Sequence, residues 1–390
     1  MHVIIVGGGF AGVRAALKLA NKRHVDVKLL VSQSYFEYHA ALYRSATGRS
    51  PLEVAIPLRD FFSYARNIEV IEDKVTDLRA ADHQITGESG TVYEYDVLLM
   101  ALGNITDFYG IKGLDKYSYG VKTIHQALRL KRHLHEQLLN HETERNFVVI
   151  GAGATGVELS AELAAYISRI RRKHKLNTPF KVRLIEAATR PLPAMPESYT
   201  NMIERRLKTM KVKLITDTPV KSETADSILL PSGPIQSHTV IWTAGVTNNP
   251  FFAAYPQVFQ LGKNQRVQVN NQLAAAPDIY VLGDSADTTH SGMAQTALHD
   301  ANFVTANLLR FLKHKQPRTY QPKRPIYAIP VGPRWASVLW GRLQIHGRLG
   351  WALRRLADFR LYLNFLPITK ALVTWRYGST DEEICPICRQ

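Results

Sequence analysis

Two glycine-rich turns carry the clearest chemical signal in this sequence. The first spans 7–12 and reads GGGFAG, and the second spans 151–156 and reads GAGATG. Each fits the pattern GxGxxG, follows a short run of apolar, mostly β-branched residues and opens a helical pattern. The glycines allow a tight bend and let the backbone approach a pyrophosphate, which faces the N-terminus of the next helix. One match is weak evidence, because glycine-rich turns also occur in plain loops, but two matches in this context predict two dinucleotide sites.

Acidic residues near these turns indicate which groups they could bind. The predicted strand 181–185 ends at Glu186, whose carboxylate could accept both ribose hydroxyls and would repel a 2′-phosphate, so this site should prefer NAD(H) to NADP(H). At the matching place after the first turn stand Val31 and Ser32, and Ser32 offers only a weaker hydrogen bond. The apolar strand 279–282 ends in Gly283-Asp284, which could place a carboxylate near a ribityl chain. The alternative is an ordinary turn aspartate.

The elements that position these residues are those of an α/β fold. The aromatic and polar stretch 35–48 is predicted to be loop and short helix, and the leucine-containing stretch 120–146 a crossover helix. Further strands are predicted at 25–30, 93–100, and 240–245.

The helix after Gly156 is predicted to carry its apolar side chains inward, with Glu158 and Glu162 on or beside the same face. It runs into the basic stretch 169–175, which is interpreted as a solvated helix end whose cations suit the helix dipole. Contact of this stretch with nucleic acid or lipid is the alternative.

Composition sets limits on the partners. The 390 residues are 45% hydrophobic, which is enough for two or three domains, and 49 Lys and Arg against 33 Asp and Glu give a formal charge of +16. This excess suggests an anionic partner, whether acidic lipid, nucleic acid or an anionic cofactor. Neither a signal peptide nor an apolar span of about 20 residues is visible, so we expect an intracellular chain without a transmembrane helix.

The two cysteines, Cys385 and Cys388, form a CxxC almost at the C-terminus. A catalytic dithiol would need a cysteine pair in the body of the fold, and no cysteine precedes Cys385. A zinc site normally has four ligands, so this pair would need histidines or a second subunit. We interpret it as a tail thiol pair without a role in turnover and predict no metal site.

Several segments, in the right order, resemble type II NADH dehydrogenases. These are single-chain, FAD-containing NADH:quinone oxidoreductases of the two-dinucleotide-binding-domain flavoproteins. The matching segments cover most of the chain: 7–12, 41–48, 151–163, 242–246, 279–286 and 294–297. The resemblance implies two Rossmann-like domains, with the NADH domain (116–250) inserted in the FAD domain (1–115 and 251–330). It also implies a C-terminal segment, 331–390, for membrane association or dimerisation.

The resemblance also assigns site residues. Glu158 would lie near the nicotinamide and the flavin and take part in proton or quinone chemistry, and the sequence Ala294-Gln295-x-Ala297 would lie on the quinone side of the isoalloxazine ring. The FAD site would use Gly7, Gly9, Phe10, Gly12, Ser32, Thr47, Val75, Ala101, Gly103, Gly283, Asp284 and Ala294. The NADH site would use Gly151, Gly153, Ala154, Thr155, Gly156, Glu158, Glu186, Ala244 and Gly245. The catalytic group would be Glu158, Gln295 and His299.

The chain departs from the family pattern at three places. Val31 stands where an acid commonly binds the FAD ribose. His299 replaces a glutamine, and a histidine there could donate a proton to a reduced quinone at neutral pH, the alternative being a histidine satisfied within its helix. The lysine often found near the quinone in the C-terminal part has no confident match.

The C-terminal segment is predicted to contain an interfacial helix. One face would hold Ala352, Leu356, Phe359, Leu363 and Leu366, flanked by Trp351 and Tyr362. Arg354, Asp358, Arg360 and Asn364 would lie on the other, polar side, and the aromatic and basic groups would suit lipid headgroups. Because Leu361 and Phe365 interrupt that polar side, packing on the protein or on a second subunit is the alternative. The basic surplus favours an anionic membrane surface.

These features predict an enzyme that passes hydride from NADH to flavin N5 and two electrons to a membrane quinone, without proton pumping. It would be a peripheral, homodimeric member of a respiratory chain on the cytoplasmic side of the cell membrane. The alternatives are a ferredoxin or rubredoxin reductase, a sulfide:quinone oxidoreductase, which would need more cysteines, and a flavin-bearing binding protein similar to apoptosis-inducing factor. The last would use the basic surface on nucleic acid, but no nucleic-acid motif is visible and no such partner is expected.

Overall fold

The computed structural model describes residues 1–139 and 145–382, so the interpretation of Cys385 and Cys388 lies outside the described residues. The first part of the chain folds as β1 His2–Val6, α1 Phe10–Leu19, β2 Asp26–Val31, β3 Tyr35–Glu37, α2 Leu42–Ala46, β4 Ala55–Pro57, α3 Arg59–Phe62, β5 Ile68–Glu72, β6 Val75–Arg79, β7 Gln84–Gly87, β8 Val92–Glu94, β9 Val97–Met100, β10 Asn104–Thr106 and α4 Leu114–Tyr117.

The middle part folds as α5 Ile124–Leu139, β11 Asn146–Ile150, α6 Ala154–Lys173, β12 Lys181–Ile185, α7 Glu197–Thr209, β13 Val212–Ile215, β14 Ser222–Glu223, β15 Ser227–Leu230, β16 Gly233–Gln236, β17 Thr239–Trp242 and β18 Val246–Asn248. The last part folds as β19 Ala274–Ala276, β20 Ile279–Val281, α8 Ala294–Phe311, β21 Tyr327–Pro330, β22 Ala336–Trp340, β23 Leu343–Gly347, α9 Arg348–Tyr362 and α10 Ile368–Tyr377.

The first turn belongs to a sheet whose strand order, among the described residues, is β19-β20-β9-β1-β2-β5. The strands from β20 to β5 are parallel, and β19 pairs antiparallel at the edge. Strand β20 joins this sheet beside β9 although nearly 180 residues of chain separate them. The first unit is therefore discontinuous in sequence.

The second turn belongs to a parallel sheet of order β13-β12-β11-β17. Its strands all fall between β9 and β20 along the chain, so the second unit is inserted in the first. The short antiparallel pair β10–β18 joins the two units where the chain leaves and re-enters the first one. The predicted α/β class with two parallel, Rossmann-like sheets is confirmed.

Hydrophobic burial explains why the strand-turn-helix units form. Val3, Ile4, Ile5 and Val6 of β1 are buried, as parallel strands covered on both faces must be. Complete burial of such a side chain stabilises the fold by roughly 1.5–3 kcal/mol. Helix α1 packs against α8, which covers the same face of the sheet.

The sequence placed most strands correctly but joined two of them. The predicted strand 93–100 is divided into β8 and β9, because β8 pairs with β7 in a small antiparallel sheet whereas β9 pairs with β1. The predicted crossover helix is α5, which starts and ends inside the range 120–146.

The C-terminal part forms an antiparallel sheet, β21-β22-β23, followed by α9 and α10. Helix α9 packs on this sheet. Helix α10 packs on α9 and on the short 3₁₀ turn Pro51–Glu53. Within residues 1–139 and 145–382 we find no helix with the length and apolar character needed to span a bilayer.

Candidate active site

Both glycine turns are built in the same way. In the first, Gly7 has φ +116°, and a Cβ atom there would lie 2.3 Å from the Ala101 carbonyl oxygen. In the second, Gly151 has φ +95°, and a Cβ atom would lie 2.5 Å from the Ala244 Cα. A side chain at either place would both strain the backbone and clash with the neighbouring strand end. The predicted residues Ala101 and Ala244 thus pack beneath the two turns.

The third glycine of each turn brings the helix against the strand. A Cβ atom would lie 1.9 Å from the Gly7 carbonyl oxygen at Gly12 and 1.8 Å from the Gly151 carbonyl oxygen at Gly156. The middle glycines differ, since a Cβ atom at Gly9 or Gly153 would have no neighbour within 4 Å. These two positions border open space in front of the helix, where a phosphate group would lie.

The helix that follows each turn begins with backbone N–H groups that no capping side chain binds. Helix α1 begins after Gly9 and α6 after Gly153, in both cases without a side-chain hydrogen bond to the first turn and without an acidic residue there. Helix N-termini carry partial positive charge and point N–H donors outward. Open space, free donors and exposed Ala154 and Thr155 therefore fit a pyrophosphate at each turn.

Glu186 directly follows β12 and lies at the second turn. Its Oε2 accepts a hydrogen bond of 2.6 Å from the Ala152 backbone N–H, and its Oε1 accepts one of 2.9 Å from the Ala188 N–H. The carboxylate is thus held at the carboxyl edge of the sheet, beside the place where a ribose would follow the pyrophosphate. Gly245 closes this edge, because a Cβ atom there would lie 2.2 Å from the Asp107 carbonyl oxygen.

The equivalent corner of the first unit is apolar. Val31 is buried at the end of β2, with its Cγ1 3.0 Å from where a Gly8 Cβ atom would lie, and Ser32 is exposed beside it. Val31, at the position where the family commonly has an acid, therefore packs against the turn, and the polar side chain beside it is the exposed Ser32.

Asp284 lies at the meeting point of two loops of the first unit. The carboxylate accepts a hydrogen bond of 2.9 Å from the Asn104 side chain, whose carbonyl oxygen is bound by the Lys122 ammonium group. Gly103 has φ +67°, and a Cβ atom there would meet nothing within 4 Å. Burial lowers the pKa of Lys122, although the charges of Asp284 and Glu37 oppose this.

A buried carboxyl group holds the turn that carries Asp284. Asp300 of α8 accepts a hydrogen bond of 3.1 Å from the Gly283 N–H and one of 2.6 Å from the Tyr320 hydroxyl. Burial raises the pKa of Asp300 to about 6, and these hydrogen bonds limit the rise. Gly283 itself packs between α1 and α8. A Cβ atom on this glycine would lie 3.4 Å from the Cβ atoms of Ala11 and Ala297.

Three other predicted FAD residues lie inside the first unit. The Phe10 ring packs edge-on against Phe36 with centroids 5.0 Å apart. Thr47 is fully buried, and its hydroxyl donates to the Tyr43 carbonyl oxygen at 2.8 Å. Val75 is buried at the start of β6. These residues line or support the first unit rather than presenting free polar groups.

The predicted quinone-side residues lie along the first turns of α8. Ala294 begins the helix, and Gln295 binds the Ile326 backbone with both ends of its amide, at 2.8 and 3.2 Å. The His299 Nε2 lies 2.8 Å from the Gln321 carbonyl oxygen. Gln295 and His299 thus fasten the segment that leads into β21, and His299 has the local partner expected of a satisfied helix histidine.

Glu158 lies on the side of the second unit that faces the C-terminal part. It is only 8% exposed, and its Oε1 is 3.9 Å from Nη1 of Arg354 on α9. Burial raises the pKa of Glu158 to about 7, while the charges of Arg354 and Arg44 act in the opposite direction. A carboxyl group with this pKa can hold and release a proton near neutral pH.

The prediction that Arg354 and Asp358 lie on an exposed polar side of the helix is wrong. Asp358 is 1% exposed, and it lies 3.1 Å from Nε of Arg354 and 2.9 Å from Nη2 of Arg44. The Tyr38 hydroxyl donates at 2.5 Å to Oδ1, the oxygen that Arg354 also approaches. Burial opposes ionisation, but Arg354 and Arg44 hold the pKa of Asp358 below its usual value. The charged side of α9 therefore faces the protein because it has buried partners there.

We name these groups and their neighbours the buried ionic cluster. It also includes Glu53, whose carboxylate lies 2.7 Å from Nη1 of Arg44 and 3.0 Å from Nη1 of Arg355. Its members come from three stretches of the chain, 38–53, α6 and α9: Tyr38, Arg44, Glu53, Glu158, Arg354, Arg355 and Asp358.

Sequence reasoning missed most of this cluster. Arg44 falls inside the segment 41–48 that carries the family resemblance, but its ion pair with Asp358 joins residues more than 300 positions apart. Arg354, Arg355 and Asp358 share the i, i+3 and i+4 spacing of intrahelical ion pairs, which was the available signal. Nothing in the local sequence marks Glu53.

Comparison with known proteins agrees with this architecture. The sequence profile described as pyridine nucleotide-disulphide oxidoreductase matches residues 1–301. The type II NADH:quinone oxidoreductase Ndh of Mycobacterium tuberculosis is 27% identical over 404 residues, which cover 96% of this chain and 87% of that protein. This relative confirms the resemblance predicted from the sequence.

Solved structures show the same fold. NDH2 from Plasmodium falciparum, in complex with NADH, is similar with a TM-score of 0.86 and 18% identity over 97% of both chains. The sulfide:quinone oxidoreductase from Aquifex aeolicus is similar with a TM-score of 0.78 and 19% identity over 97% of this chain and 92% of that one. The matched profile includes both glycine turns and the first part of α8. The chain therefore belongs to the pyridine nucleotide-disulphide oxidoreductase family.

Proposed function

We propose that this protein is an NADH:quinone oxidoreductase that uses FAD. The observation that carries the proposal is the pair of matching phosphate cradles on two parallel sheets, with Glu186 beside the second and the proton-holding Glu158 in its helix. The name of the mycobacterial relative supports the choice of quinone. Both cysteines lie in the last six residues, which argues against a reaction that carries sulfur through the body of the fold.

The residues present fit both nucleotides. The first turn, with Gly9 facing open space, and the Gly103 and Asp284 loops would hold FAD. The second turn, with Gly153 facing open space, and Glu186 would hold NADH. Bound FAD would supply two-electron chemistry, taking a hydride equivalent from NADH and giving electrons to the quinone.

The protein's own contribution is orientation and proton supply. Conversion of NADH, a quinone and one proton from solvent to NAD⁺ and a quinol balances both electrons and protons. Glu158 is placed to hold that extra proton, because its pKa is raised to about 7. Gln295 and His299 fix the segment at β21, the strand to which Arg354 also binds at the Ala328 carbonyl oxygen.

The outer surface of α9 and α10 supports a peripheral membrane location. Leu349 and Leu356 are 62% and 60% exposed on α9, and Ile368 is 67% exposed on α10. Further exposed apolar side chains lie on α9, α10 and the strands β22 and β23, on which α9 packs: Trp340, Leu343, Leu363, Leu372 and Val373. We name this set the apolar face. A concentration of exposed apolar side chains in one part of a fold is typical of a membrane or protein contact.

We further propose that the apolar face rests on an anionic leaflet on the cytoplasmic side. The charge of +16 favours acidic headgroups, since each Lys or Arg near such a surface adds about 1 kcal/mol. Phe359 is only partly exposed and Leu366 is buried, so the contact surface is narrower than the sequence predicted. The alternative is that the apolar face contacts a second copy of the chain in a homodimer.

The proposal is tested by anaerobic steady-state kinetics with ubiquinone and menaquinone analogues in lipid vesicles. We expect one quinol formed per NADH oxidised, a flavin spectrum in the purified protein and a much lower rate with NADPH. NADH oxidation that no quinone accelerates above the oxygen-dependent rate would exclude the quinone half of the proposal. Faster reduction of an acidic ferredoxin or rubredoxin without lipid would instead favour the carrier reductase that the positive charge also permits.

A further inference from the structure

Helix α9 has its polarity reversed relative to an ordinary surface helix. Its charged side chains Arg355 and Asp358 are 5% and 1% exposed, whereas Leu349 and Leu356 extend into solvent. Burial of charge is costly unless each charge is paired and hydrogen-bonded. The buried ionic cluster therefore has to be complete for α9 to pack in this orientation.

Arg354 is the member of the cluster that connects α9 to the second unit. Its Nη1 donates to the Ala328 carbonyl oxygen and its Nη2 to the Ala40 carbonyl oxygen, both at 2.9 Å. Asp358 lies 3.1 Å from Nε as an ion pair without a hydrogen bond. With these three contacts the guanidinium plane is held in one orientation, and Nη1 is directed toward Glu158 at 3.9 Å.

Among the described residues, Arg354 is the basic group within 4 Å of the Glu158 carboxylate. Arg44 acts on the Glu158 charge from α2, but its own guanidinium is paired with Glu53 and Asp358. The ionisable groups that interact electrostatically with Glu158 are Tyr43 and Arg44 on α2, Arg354 and Asp358 on α9, and Tyr199 on α7. Glu162 lies one turn further along α6.

We propose that Arg354, held by Asp358, is the positioning residue for Glu158, and that it links the helix bearing the apolar face to the carboxyl group of the acceptor site. The role of this contact in catalysis rests on the proposed function, but the contact between Arg354 and Glu158 can be tested without measuring turnover. Arg354 does not need to touch the quinone, because it acts through Glu158.

The expected effect of removing the Arg354 charge has a definite sign. An opposite charge within about 4–6 Å favours the ionised carboxylate and typically lowers its pKa by roughly one unit or more. Without Arg354 the Glu158 pKa therefore rises further above its usual value. A larger fraction of Glu158 is then protonated at neutral pH.

The first experiment is an infrared pH titration of the purified, flavin-loaded protein. The absorption band of the protonated Glu158 carboxyl group is identified as the band that is missing in the Glu158→Gln variant. In Arg354→Gln we expect the midpoint of this band to move up by roughly one pH unit. Arg354→Lys, which keeps the charge, should recover part of the shift. Arg360→Gln removes an exposed arginine from the same helix and should leave the midpoint unchanged.

The second experiment measures the pH profile of quinone reduction in the same variants. The profile limb that reports Glu158 should move with the infrared midpoint, whereas a purely structural role of Arg354 would lower kcat without moving it. If Arg354→Gln does not fold, Arg354→Gln combined with Asp358→Asn removes one charge of each sign and should still raise the midpoint, by less.

The two proposals fail in different ways. A wild-type protein that does not reduce quinones would overturn the proposed function, but the infrared shift would still establish the Arg354–Glu158 contact. An unchanged midpoint in both Arg354→Gln and the double variant overturns the positioning role, even if both variants lose activity.

Discussion

At the scale of single residues, the two dinucleotide sites differ most at the ribose. Glu186 is held by two backbone N–H groups beside the second turn, and Val31 fills the corresponding corner of the first with an apolar side chain. A carboxylate discriminates strongly between a ribose hydroxyl and a 2′-phosphate, whereas Val31 and the exposed Ser32 do not supply a charge. Only the second site is therefore built to select its nucleotide by charge.

Substitution Glu186→Ala should erode the preference for NADH. Loss of charge-assisted hydrogen bonds to two hydroxyls costs roughly 1.5–3 kcal/mol, so kcat/KM for NADH should fall about ten- to hundredfold. The value for NADPH should stay level or rise, because the repulsion is gone. Both values are obtained from initial rates with a saturating quinone.

The matched control is Glu197→Ala, which removes an exposed carboxylate at the start of α7 in the same unit. It should leave both nucleotides unaffected. Equal losses for NADH and NADPH in Glu186→Ala would show that the residue only supports the turn through Ala152, and the assignment to the ribose would have to be abandoned.

At the scale of elements, the glycine turns separate two requirements that GxGxxG combines. Gly12 is needed for the fold, because its Cβ atom would lie 1.9 Å from the Gly7 carbonyl oxygen. Gly9 faces open space and adopts an extended conformation at φ −85°, so a side chain is sterically permitted there without ligand. The lack of a side chain at Gly9 matters only when a phosphate is bound, because the phosphate then approaches the backbone at this position.

The pair Gly9→Ala and Gly12→Ala tests this separation. Gly9→Ala should purify with a normal unfolding temperature after flavin removal but a several-fold lower flavin content. Gly12→Ala should be destabilised with or without flavin, by the 1–3 kcal/mol typical of overpacking or more. Flavin absorbance per protein and thermal unfolding followed by circular dichroism give the two quantities. Equal thermal destabilisation by both variants would contradict the division of roles.

The sequence predicted these units well because their signals are local. A β-branched run, a GxGxxG turn and an apolar helix stripe lie within 30 residues, and Glu186 follows its strand directly. The prediction from sequence failed for the orientation of α9. The amphipathic pattern predicted the helix correctly but placed Arg354 and Asp358 on the side that faces solvent. Arg44, the partner of Asp358, lies more than 300 residues earlier, and helical periodicity carries no information about such a partner.

At the scale of the whole molecule, the ionic cluster and the apolar face are two sides of one arrangement. The paired charges draw the polar side of α9 inward, which leaves leucines outside on α9 and further apolar side chains on α10. The chain that carries this apolar face also has a formal net charge of +16. Such a combination favours an anionic bilayer over a neutral one, and salt should weaken the electrostatic part alone.

Membrane binding should therefore depend on the apolar face and on lipid charge together. Replacement of Leu356 and Leu372, exposed on α9 and α10, by Glu should lower partition onto vesicles of phosphatidylglycerol and phosphatidylcholine by tenfold or more. Val92→Glu is the control, because Val92 is 45% exposed on β8 in a different sheet, and it should bind like wild type. Vesicle cosedimentation at low and high salt separates the apolar contribution to binding from the electrostatic one, because salt weakens only the electrostatic contribution. If the double variant still sediments fully but changes from dimer to monomer in analytical ultracentrifugation, the apolar face joins two subunits, and contact with the bilayer must lie elsewhere.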